Sequence, residues 1–97
     1  MYQILDEINT EDYKGVKVSK ISKSEETEIL HISIQKGAFL KKHISPKDAL
    51  LIVLEGYISF YIDNNIHCIK KHQIFNFVKE TEHWVEAQEN SNFLIIR

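Results

Sequence analysis

The sequence predicts an all-β domain of the sandwich or barrel class, and three observations predict it. Short apolar segments recur with turn residues between them roughly every eight to twelve positions. Leu30-His31-Ile32-Ser33-Ile34 alternates with the two-residue period of a strand buried on one face. Asp63-Asn64-Asn65 sits between two strand-like runs, and these residue types tolerate the left-handed backbone of a tight hairpin.

The elements follow in order. Ile4 to Asp12 is the only stretch with room for a helical turn. Val16 to Ile21 reads as a strand opening just after Gly15, and Ile29 to Ile34 as the next. Gly37 breaks the chain before Phe39-Leu40. Ala49 to Leu54 is a continuous apolar run ended by Glu55-Gly56, the pattern of a strand buried on both faces. Tyr57 to Ile62 and Ile66 to Ile69 form the hairpin arms around Asp63-Asn64-Asn65. Lys70-Lys71-His72-Gln73 turns into Ile74 to Val78. Trp84 to Ala87 and Phe93 to Ile96 close the series, split by Glu89-Asn90-Ser91-Asn92. The total is eight or nine strands by count.

Composition bounds the function. At 97 residues the chain is one domain, 1–97, with a single modest core. Hydrophobic residues are 43% and charged residues 27%, ordinary for a globular protein. The net charge of -2, with eleven scattered lysines and one arginine, argues against nucleic acid as a partner. Cys68 is the only cysteine, so no internal disulfide forms, and a small buried side chain on a strand is its expected role. The first twenty residues hold Asp6, Glu7, Glu11 and Asp12 and no apolar run, unlike a signal peptide. No apolar run is long enough to span a bilayer, so the expected location is the cytoplasm, with no membrane partner.

Two frames carry the chemistry. The first runs from Gly37 through Lys41-Lys42-His43-Ile44-Ser45-Pro46-Lys47-Asp48-Ala49 to Val53-Leu54-Glu55-Gly56. The second runs His72-Gln73-Ile74-Phe75-Asn76-Phe77-Val78-Lys79-Glu80-Thr81-Glu82-His83-Trp84. Together they resemble the two signature segments of the cupin family. Gly37, His43 and Gly56 fall in register with the first, and His83 with the second. Ser45 stands at the first segment's second histidine and Ala49 at its glutamate. His72, Val78 and Glu80 stand at the glycine, proline and second glycine of the second segment.

The resemblance covers about Ile29 to Ile96 and implies a cupin-like double-stranded β-helix, a jelly-roll barrel whose core runs about 29–96. It also implies a cavity at one end, lined by His43 and His83. Family members typically hold a divalent metal through three imidazoles and a carboxylate, chemistry suited to iron, manganese, nickel or zinc. Here two imidazoles remain. Proline cannot join a strand ladder, so Ser45-Pro46 interrupts the strand, and a one-residue shift there brings Asp48 to the His43 side. His43, His83 and Asp48 would then make a two-histidine, one-carboxylate set. The competing reading of Asp48 is an exposed loop carboxylate.

Three functions remain open. The leading one is a small cupin that binds a small organic ligand, with the metal optional. The second is a metal-dependent oxygenase or isomerase. The third is a structural or partner-binding domain with a closed barrel. His31 reads as a surface histidine before a cavity one. His67 and His72 read as solvated, and Lys41-Lys42 and Lys70-Lys71 as solvated turns. Trp84 reads as packing, and Phe39, Phe60, Phe75 and Phe77 as core, with one or two of them at the cavity wall. Tyr57 and Tyr61 share a strand face with Ser59, an aromatic surface that suits a homodimer. No nucleophile elbow or phosphate loop is present.

Overall fold

In the computed structural model, residues 2–8 and 12–97 are described, and they form nine strands. These are β1 (Val16–Lys23), β2 (Glu28–Ile34), β3 (Phe39–His43), β4 (Ala49–Glu55), β5 (Tyr57–Ile62), β6 (Asn65–Lys70), β7 (Ile74–Phe77), β8 (His83–Ala87) and β9 (Ser91–Ile96). Residues 4–8 hold no helical turn. The rest of that expected turn, 9–11, lies outside the described residues.

The strands make two antiparallel sheets. One is five-stranded, β1-β2-β9-β4-β7, and the other four-stranded, β3-β8-β5-β6. Apart from the β1–β2 and β5–β6 hairpins, neighbours in each sheet are not consecutive in the chain, so the two layers are wound together. The core lies between them, and the register shows how alternation fills it. Across the five-stranded sheet, Ile32, Phe93 and Val53 stand in one row and Leu30, Ile95, Leu51 and Phe75 in the next. Ile58, Phe60 and Ile62 face them from β5. Phe60 and Phe93 are its largest fully buried side chains.

The β5–β6 hairpin is built as the turn residues require. Asp63 and Asn64 both take positive φ, 51° and 60°, and Ile62 pairs with Asn65. Gly56 has φ 92°, and a Cβ there would overlap Ser91 Oγ and the Asn90 carbonyl oxygen. Ser45-Pro46 does separate β3 from β4.

Several expectations about burial fail for one physical reason: two layers cover only their inner faces. Ala49, Leu51 and Val53 are buried, but Leu50 on the outer face of β4 is 43% exposed, so that strand is not enclosed on both sides. Phe39 is 52% exposed, because it stands opposite Glu86 on the outer face of edge strand β3, beside Trp84. Cys68 is exposed because Ile69 takes the inward position of β6. His31 departs the other way. It is buried, and its Nε2 bonds Asn92 Oδ1 at 3.1 Å, while Asn92 Nδ2 donates to the Tyr13 hydroxyl. Lys41 and Lys42 lie within β3 rather than in a turn. Trp84 packs on the outer face of the four-stranded sheet, its ring stacked on Tyr61 at 3.6 Å. Among the described residues no helix is long and apolar enough to cross a membrane.

Candidate functional site

His43 ends β3 and His83 begins β8, and the antiparallel register sets them directly opposite each other. The ladder is irregular between Leu40 and His43. Their Nε2 atoms lie 2.9 Å apart, with the rings edge to face at 70°. His43 Nδ1 donates to the Lys41 carbonyl at 2.8 Å, and His83 Nδ1 to the Thr81 carbonyl at 3.0 Å. A carbonyl only accepts, so both Nδ1 atoms carry hydrogen, and both Nε2 atoms present lone pairs in the neutral rings. Two lone pairs do not tolerate 2.9 Å. One proton or one cation shared between them satisfies both.

His83 is the buried member. Its ring lies along Phe60 at 5.1 Å and meets Phe77 edge-on at 4.7 Å. Burial lowers its pKa first, and the nearby charges of His43 and Arg97 lower it further, against the opposing pull of the Thr81 carbonyl. His43 is half-buried and opens outward.

Its opening is a cleft of 510 Å³ between the β1–β2 edge and β3. Leu30, Ile32, Leu40 and Ile95 form its wall, Lys41, Lys42 and Arg97 supply its charge, and His43 also lines it. A second cleft, 610 Å³, opens at the β4–β7 edge against β5–β6. It holds Asp48, Asp63 and His67 over Phe75 and Phe77. Asp48 belongs to this second cleft, exposed, with its Oδ1 accepting from the Lys79 amide at 2.9 Å. His67 is exposed there beside the Phe75 ring, and His72 is exposed in the β6–β7 turn.

No family model matches this sequence, and no curated protein matches it. Solved structures do. A cupin 2 conserved barrel domain protein from Leptotrichia buccalis aligns at 26% identity and TM-score 0.83, over 93% of this chain and 44% of that one. An RmlC-like cupin family protein with a double-stranded β-helix fold, from Methanocaldococcus jannaschii, aligns at 22% identity and TM-score 0.85 over 100% and 91%. This chain has the cupin fold. A cupin superfamily protein from Desulfitobacterium hafniense matches similarly, at 14% identity and TM-score 0.82 over 97% and 96%.

The cupin frame allows a test of the metal that the family resemblance implies. Ser45, at the second histidine, is buried, and its hydroxyl is spent on the Lys47 carbonyl at 2.6 Å. Ala49, at the glutamate, offers only a buried methyl. Among the described residues no three His, Cys, Asp or Glu side chains gather closely enough to hold an ion. Metal centres ordinarily take at least three protein ligands. A cupin centre of three imidazoles and a carboxylate does not fit these residues.

Arg97 is the residue that sequence reasoning missed. Its Nη1 donates to Ser45 Oγ at 3.4 Å, and it lines the cleft with His43. The available signal was parity: Phe93 and Ile95 face the core, so position 97 points the same way, and it carries the only arginine.

Proposed function

We propose that this chain is a ligand-binding cupin that takes a small organic molecule in the cleft beside His43. The observation that carries this reading is the paired histidines. A buried imidazole backs an accessible one at 2.9 Å, at the edge of a cleft with apolar walls. The volume of 510 Å³ lies within the usual span for small-molecule sites, roughly 300–1,000 Å³. A few polar groups converging on an apolar concavity is the general form of such sites.

The test is calorimetric titration of chelator-treated protein with a panel of small organic compounds, wild type against His43→Ala. The reading expects at least one saturable ligand whose binding weakens about tenfold or more in the variant, as loss of a ring that lines the cleft predicts. Ligands that bind the variant equally well would place the site elsewhere.

The 2.9 Å separation also favours a second reading, a divalent ion held between the two Nε2 atoms with ligand or solvent filling the remaining positions. Elemental analysis of untagged protein separates the two. Near-stoichiometric iron, manganese, nickel or zinc that disappears in the His43→Ala, His83→Ala double variant supports the ion and the enzymatic alternative.

A further inference from the structure

We infer that the fixed cation of this site is the Arg97 guanidinium, and that the ligand is an organic anion, a carboxylate on an apolar body. The inference rests on the ligand-binding reading above and specifies its chemistry.

The geometry begins at Ser45. This buried residue holds the place of an imidazole in the cupin frame, and the group that reaches it is Arg97 Nη1, at 3.4 Å. A permanent positive charge thus stands beside the histidine pair, where it opposes a metal ion and favours an anion.

Arg97 is held in position before any ligand arrives. Its Nε and Nη2 both donate to Glu28 Oε1, at 3.3 and 3.1 Å. The two backbones also pair, Arg97 N–H to Glu28 O at 2.9 Å and Glu28 N–H to Arg97 O at 2.6 Å. Glu28 does not cancel the local charge, because Lys20 Nζ approaches its other oxygen at 3.6 Å. Two cations share one carboxylate, and Nη1 is the arm that Glu28 leaves free, reaching Ser45 Oγ from a residue that lines the cleft.

The rest of the cleft agrees in sign. Lys41 and Lys42 stand at its rim, and among the described residues no carboxylate lines it. Lys42 has a loose surface partner in Glu82 at 3.5 Å, both well exposed, a contact that competes weakly. Leu30, Ile32, Leu40 and Ile95 leave an apolar wall for the remainder of the ligand. A carboxylate would accept from Nη1 and from a lysine ammonium while its carbon skeleton lies on that wall.

The probes are benzoate and hexanoate, their neutral amides, inorganic phosphate and zinc, titrated into chelator-treated full chain and followed by NMR and calorimetry. The acids are expected to bind about tenfold or more tightly than the amides, with phosphate weaker than the acids for want of an apolar body. Arg97→Gln is expected to erase the acid preference and strengthen zinc binding at the histidine pair by about tenfold or more. Should Arg97→Gln fail to fold, the rim variant Lys41→Gln, Lys42→Gln is expected to weaken acid binding without altering the amides. Amides that bind as well as the acids would overturn the anion inference and leave the ligand-binding reading intact. Phosphate binding that matches the acids would overturn the apolar-body requirement. If neither acids nor amides perturb His43 at tens of millimolar (about the weakest range of specific binding), both the inference and the cleft assignment fail. Stoichiometric zinc on the wild type, unchanged by Arg97→Gln, would overturn the role given to Arg97.

Discussion

The two clefts of this sandwich lie on opposite edges and carry opposite charge. The His43 cleft combines Lys41, Lys42 and Arg97 with apolar side chains, whereas the Asp48 cleft combines Asp48 and Asp63 with aromatic ones. Phe77 lines the acidic cleft and packs against the edge of His83, so one ring stands between that cleft and the histidine pair. Residues 43 and 48 are close in sequence, yet the Ser45-Pro46 break delivers them to different edges. Closeness in sequence therefore does not make Asp48 a partner of His43. Strand topology assigns each charge to a side.

The separation of the two clefts depends most on Phe77. Phe77→Ala removes a buried ring that touches Phe60 and His83, and it is expected to cost about 3–5 kcal/mol. Chemical denaturation reads that loss. A cost within experimental error of zero would mean that the ring is no dividing wall.

The next effect concerns pH. Burial disfavours the His83 imidazolium, so His83 binds its proton more weakly in the folded chain than in the unfolded one. Above the ordinary histidine range both forms are neutral, and this contribution to stability is fully present. As pH falls through that range, the unfolded chain takes up the proton first. Stability then declines until the lowered folded-state pKa is passed. Denaturation midpoints from about pH 8 down to about pH 5 should therefore fall, and His83→Gln should flatten the slope. An identical slope in the variant would remove His83 as the source.

The smallest expected effect lies in the loop that joins β7 to the histidine pair. Glu80 has φ 61°, a conformation that glycine adopts more easily, and its amide donates to the Ser45 carbonyl at 2.9 Å. Glu80→Gly should keep that bond and change stability by about 1 kcal/mol or less, in the stabilising direction. A clear loss by thermal denaturation would show that the Glu80 side chain does more for the loop than its backbone does.

Much of the fold was legible because strand signals are local. The Asp63-Asn64 turn, the position of β2 and the break at Ser45-Pro46 depend on neighbouring residues alone, although β2 is buried on both faces from His31 to Ile34 rather than on one. His72 and Glu80, which stand at positions that the resemblance gives to glycine, both take positive φ, the conformation that glycine adopts most easily. What escaped depends on the other layer or on distant residues. Phe39 and Cys68 look like core residues until the sheet that fails to cover them is known. His31 is buried by a network through Asn92 to Tyr13 that no local pattern announces. In the site, His43 and His83 were legible from their frames, and their approach was expected. Arg97 was not, because its link to Ser45 spans 52 positions and depends on how β9 lies beside β2 and β4.

The assignment of ligand binding to the basic cleft is tested most directly by one paired measurement. Binding of a small organic acid to chelator-treated protein would be compared between His43→Ala and Asp48→Ala. The account predicts that His43→Ala weakens binding about tenfold or more while Asp48→Ala leaves it unchanged. Loss of binding in Asp48→Ala with His43→Ala unaffected would contradict it and move the site to the opposite edge of the sandwich.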